Sequence, residues 1–73
     1  MLEKNSLSFR ILTAIKTARE EGVQISYLWE CRIEGANQFL LCNVVAGLLR
    51  NKLVEFHGAT CIRATEKGRK AVA

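Results

Sequence analysis

Val44-Val45-Ala46-Gly47-Leu48-Leu49-Arg50-Asn51-Lys52-Leu53-Val54-Glu55 is the stretch in which the hydrophobic period of this chain changes. Before it, Leu41, Val44, Val45 and Leu48 recur at the three- and four-residue steps of a helix buried along one side. Asn37 is a good helix cap, so a helix is expected from 37 to about 51. Beyond Asn51 the period falls to two. Leu53, Val54 and Phe56 lead into His57-Gly58-Ala59, and residues 60–64 return, as in a β-hairpin with a short turn. Thr65 with Glu66 then opens a last short helix over 66–72, in which Gly68 is a weak point costing about 1 kcal/mol against alanine.

The pattern extends toward the N-terminus. Leu7, Ile11, Ile15 and Ala18 keep a helical spacing with Leu12 beside them, and Asn5 or Ser6 can cap the start. This first helix is expected over about 6–21, with Gly22 ending it. Val23-Gln24-Ile25 is a short apolar crossing, possible as a minimal strand. Ser26 is expected to cap a second helix from Tyr27 to about Arg32, with Leu28 and Trp29 facing the core. Residues 33–36, with Gly35 among them, form the turn into the third helix. The expected fold class is mainly α with a small β-hairpin (α+β), in the order helix, short strand, helix, helix, strand, strand, helix. Residues 1–73 form a single domain on this pattern, since the chain is too short for two cores and carries no linker-like segment.

Composition narrows the function classes. With 49% hydrophobic and 25% charged residues, the chain has the make-up of a folded protein. No secretory leader is recognised, and the nearly uncharged stretch 35–49 is too short to span a bilayer, so a cytoplasmic protein without membrane contact is expected. Cys31, Cys42 and Cys61 have no metal-type spacing, and they are expected to be reduced and mostly buried. His57 and Cys61 lie across the tightest part of the hairpin with no third group to orient them. There is no glycine-rich phosphate loop and no paired-acid site. No catalytic residue, metal ligand or cofactor is therefore expected.

Charge is uneven. Residues 1–49 hold five basic and five acidic side chains, whereas residues 50–73 hold six basic (Arg50, Lys52, Arg63, Lys67, Arg69, Lys70) and two acidic (Glu55, Glu66). The whole net charge of +4 thus falls in the last third, which suits a polyanionic partner.

Two passages carry a family resemblance. Val44 to Glu55 resembles the "leucine-rich recognition helix, basic turn, Leu-Val-Glu strand" passage of the winged helix-turn-helix regulators of bacteria, archaea and their mobile elements. Ala64-Thr65-Glu66-Lys67-Gly68-Arg69-Lys70 is similar to the "leucine-threonine-x-x-glycine-arginine" phrase that leaves the wing in those proteins. With the pattern of the first two helices, the likeness spans nearly the whole chain. Two positions depart from it: Lys52 stands where glycine is frequent, and Ala64 where leucine is usual.

The resemblance implies a DNA-binding transcriptional regulator, with the third helix in a major groove and the wing beside a minor groove. Asn37, Gln38 and Asn43 are then the candidate base readers, since a carboxamide can pair two-fold with adenine. Arg50, Lys52, Arg63, Lys67, Arg69 and Lys70 are the candidate phosphate contacts, lining one rim. Two half-sites of double-stranded DNA and a homodimer would be needed for useful affinity. A different use stays open beside it. Phe39, Leu40 and Cys42 cannot all be buried along with Leu41, and an exposed apolar strip there suits a protein partner, as in an antirepressor or assembly adaptor.

Overall fold

A computed structural model describes residues 6–18, 22–30, 33, 35–58 and 60–72, with Ile25 and Trp29 described by backbone alone. The elements are α1 (Leu7–Thr17), β1 (Val23–Gln24), α2 (Ile25–Glu30), α3 (Gln38–Arg50), β2 (Val54–His57), β3 (Cys61–Ala64) and α4 (Glu66–Ala71). The protein is a small α+β fold of four helices and one three-stranded antiparallel sheet in the order β1-β3-β2.

Ser6 begins α1 by accepting the Phe9 N–H at 3.1 Å, and Ile11, Leu12 and Ile15 are buried on one side, as their spacing predicts. The helix stops at Thr17, short of the expected residue 21. Thr17 Oγ1 donates to the carbonyls of Thr13 (3.0 Å) and Ala14 (3.3 Å), and Ala18 is already extended. Thr13 Oγ1 donates back to Phe9 O (2.8 Å) in the same way without ending the helix, so the end of α1 is marked by the extended backbone at Ala18. Gly22 therefore does not end the helix. Its positive φ and missing side chain serve β1 instead, because a Cβ at this position would meet the Ile62 carbonyl oxygen at 2.5 Å.

Helix α2 follows β1 without a loop. It starts at Ile25, so Ser26 is inside the helix and its hydroxyl is turned toward Gln24 Oε1 at 3.5 Å; the expected cap at Ser26 is corrected. Leu28 is wholly buried. The core role expected of Trp29 and the burial of Cys31 fall outside what is described.

In α3 the expectations hold closely. Asn37 Oδ1 accepts the Leu40 N–H at 2.8 Å, and Leu41, Val45 and Leu48 are buried while Val44 packs at the margin. The C-terminus closes in a Schellman turn. Lys52 N–H donates to Leu49 O (3.1 Å) and Leu53 N–H to Leu48 O (2.9 Å), with Lys52 at φ 61° in the left-handed region.

The short strand and the hairpin belong to one sheet. Val23 pairs with Ile62 and Gln24 with Cys61, while Val54, Glu55, Phe56 and His57 pair with Ala64, Arg63, Ile62 and Cys61. Strand alternation sends Ile62 and Ala64 inward and Cys61 and Arg63 outward. The inward residues join Ile11, Leu12, Ile15, Leu28, Leu41, Val45, Leu48, Leu53, Val54 and Val72 in one core. Truncating a residue such as Ile62 to alanine costs about 2–5 kcal/mol.

Helix α4 is capped by Thr65, whose Oγ1 accepts the Gly68 N–H at 3.0 Å. Gly68 is buried, and a Cβ on it would collide with the Leu53 carbonyl oxygen. The residue expected to weaken this helix is what allows it to lie against Leu53.

Two cysteines correct the expectation of burial. Cys42 is exposed on the solvent side of α3, and Cys61 is half-buried on the outward side of β3. Among the described residues, no helix is long and apolar enough to cross a membrane.

Candidate nucleic-acid interface

The solvent side of α3 follows from its buried side. With Leu41, Val45 and Leu48 turned inward, the residues opposite are Phe39, Asn43, Ala46 and Arg50, at steps of four, three and four. All four are exposed. Asn43 and Arg50 thus share one stripe, and Phe39 sits on it too with 73% of its surface exposed. Leu40 is half-buried, whereas Cys42 flanks the stripe in solvent. The candidate base reader Asn43 and the apolar Phe39 are neighbours on one surface.

Asn37 and Gln38 are placed differently. The Asn37 side-chain oxygen is committed to the cap, which leaves its amide NH₂ as the part available to a ligand. Gln38 is exposed, but five residues separate it from Asn43, about 140° around the helix axis.

The six candidate phosphate contacts differ in what they bond. Lys67 Nζ donates to the Asn51 carbonyl at 3.2 Å, and Thr65 Oγ1 donates to the Lys52 carbonyl at 2.7 Å. These two bonds tie the start of α4 to the end of α3 and set Lys67 beside Arg50 and Lys52. Neither Arg50 nor Lys52 has a carboxylate in ion-pair range among the described residues. A groove of about 290 Å³ runs alongside, between α1 and α3, lined by Ser8, Asn43, Gly47 and Asn51.

Arg63 has a carboxylate partner. It stands opposite Glu55 in the sheet register, and its guanidinium lies 3.4 Å from that carboxylate with both side chains about two-fifths exposed. Arg63 and Arg69 line a separate depression together with Glu55 and Glu66, so charge there is balanced locally. Lys70 Nζ is 3.5 Å from Glu66 Oε1, one helical turn away. His57 and Cys61 are register partners at the hairpin end, both away from the core.

Sequence reasoning passed over Asn51 and Ser8 as part of this surface. The i to i+4 spacing of Asn43, Gly47 and Asn51 is the signal that could have found the former. Ser8 is brought there by packing of α1 on α3, which no local pattern reveals. No family model, curated protein or solved structure matches this chain.

Proposed function

We propose that this chain is a winged-helix domain that binds duplex DNA through the solvent side of α3 and acts as a small transcriptional regulator working in pairs. The observation that carries this is the exposed stripe of Asn43, Ala46 and Arg50, at the end of which Arg50 and Lys52 have no carboxylate partner among the described residues. Residues 35–54 contain no carboxylate, which leaves α3 and its turn with basic groups alone. The element order and the β1-β3-β2 sheet support the winged-helix assignment. Asn43 is the candidate base reader, and Arg50 the first phosphate contact. The domain works by binding alone, without a cofactor.

A single copy with four to six phosphate contacts binds non-specific duplex at about micromolar strength or weaker, so two copies on two half-sites supply useful affinity. Fluorescence anisotropy of a labelled duplex against salt concentration tests this. Binding that weakens steeply with salt and drops on Arg50→Ala is the expected result. Salt-independent binding, or none, overturns it.

One observation favours a second use of the same stripe. Phe39 at 73% exposure is costly to leave in water and suits a protein partner. Under that use Phe39→Ala abolishes a protein complex and leaves DNA affinity intact. Size-exclusion chromatography with light scattering, run with and without duplex, separates the two.

A further inference from the structure

Three basic residues belong to the region where α3 ends, and only two of them come from α3 and its turn. Lys67 arrives from α4, sixteen residues along the chain, and is held by its bond to Asn51 O, the residue between Arg50 and Lys52. The position is rigid: Thr65 Oγ1 bonds the Lys52 carbonyl, and Gly68 packs against the Leu53 carbonyl. A single basic group is enough to balance the negative end of a helix dipole. Three such groups repel one another, and the nearest acid in sequence, Glu66, is engaged with Lys70.

Lys52 adds an independent mark. Among the described residues it is the only non-glycine residue with positive φ, at 61°. Glycine adopts this conformation without strain and L side chains resist it. The chain keeps a lysine against its backbone preference. The Lys52 backbone N–H and carbonyl are both bonded within the fold, to Leu49 O and Thr65 Oγ1, so what this position carries beyond a glycine is an exposed cation.

The hairpin turn offers the opposite picture. Residues 53–62 include no lysine or arginine, and its end presents His57, Gly58 and Thr60. On α3, in contrast, the groove past Gly47 toward Asn51 is open, since a Cβ at Gly47 would meet nothing within 4 Å.

We infer that the sugar-phosphate backbone of the duplex is gripped at the α3–α4 junction by Arg50, Lys52 and Lys67, and that the hairpin turn is not an anchor. This rests on the DNA-binding function proposed above and specifies where the backbone is held. Each cation that neutralises a phosphate contributes about 0.9 to the slope of log affinity against log salt.

The test is that slope, with thermal melts of the same samples, for the wild type, Lys52→Gly, Lys52→Gln, Lys67→Gln and His57→Ala. Lys52→Gly is expected to melt higher, by about 4 °C, while its slope falls by about 0.9. Lys52→Gln keeps the strained backbone, so its slope falls equally without the gain in melting temperature. Lys67→Gln loses the same increment, and His57→Ala loses none. If Lys52 and Lys67 variants that remain folded keep the wild-type slope, the anchor is overturned while DNA binding stands. A slope lowered only by His57→Ala overturns it in favour of the hairpin turn. Absence of wild-type binding removes the proposed function and the anchor together.

Discussion

The end of α3 and the outward side of the sheet carry similar residues and use them differently. On the sheet, Arg63 faces Glu55 at 3.4 Å, and Arg69 opens on the same depression as Glu66. At the end of α3, Arg50 and Lys52 have no carboxylate in ion-pair range among the described residues, and Lys67 rests on a neutral carbonyl. An exposed ion pair stabilises a fold by only about 0–1 kcal/mol, and it screens its own charge from a partner. Unpaired cations add no such stability, yet their full field reaches an external anion. Equal formal charge is therefore unequal attraction.

The contrast depends on α4 sitting against Leu53, so the strongest way to break it is at Gly68. Gly68→Ala forces a Cβ into the Leu53 carbonyl and should cost about 2–3 kcal/mol, with a melting temperature lower by about 10 °C or more by circular dichroism. An unchanged melt would show that α4 does not pack there. Thr65→Ala is next. It removes both the cap on Gly68 N–H and the bond to Lys52 O, and should lower the urea-unfolding free energy by about 1–2 kcal/mol.

The charges themselves can then be compared directly. Arg50→Ala should lower the salt slope of duplex binding by about 0.9, while Arg63→Ala leaves it in place and changes stability by about 1 kcal/mol at most. Equal losses of binding from the two variants would erase the distinction between the surfaces. The smallest effect sharpens it. Glu55→Gln releases Arg63 from its partner and should raise duplex affinity by about two-fold, with little change in stability.

Much of this fold is legible in the residues themselves, because local signals and packing agree. Asn37 caps, Leu41, Val45 and Leu48 mark the buried side, and the period changes to two after Asn51. What was not legible depends on atoms far away in the chain. Helix α1 stops at Thr17 with Ala18 already extended, where periodicity alone would let the helix run on to Gly22. Gly22 and Gly68 look like a helix stop and a helix defect, and both are in fact set by remote carbonyls, those of Ile62 and Leu53.

The candidate site was legible as a set of residues and not as an arrangement. Asn43 and Arg50 could be placed on one stripe from helical spacing. The separation of Arg63 from Lys67 could not, because it follows from the Glu55–Arg63 register and from the bond between Lys67 and Asn51 O. Cys42 and Cys61 show the same limit. Free cysteine is usually buried, but Cys42 falls on the solvent side of α3, and Cys61, next to the inward Ile62 on a strand, is turned to the other face.

Backbone amide shift mapping during titration with a duplex of mixed sequence tests most directly that DNA meets α3 and its junction with α4. The expected result is that amides of residues 43–52 and 65–68 move together, with saturation lost as salt is raised, while those of residues 54–57 and 61–64 stay in place. Movement confined to the sheet residues or the hairpin turn, or no movement anywhere, would contradict it.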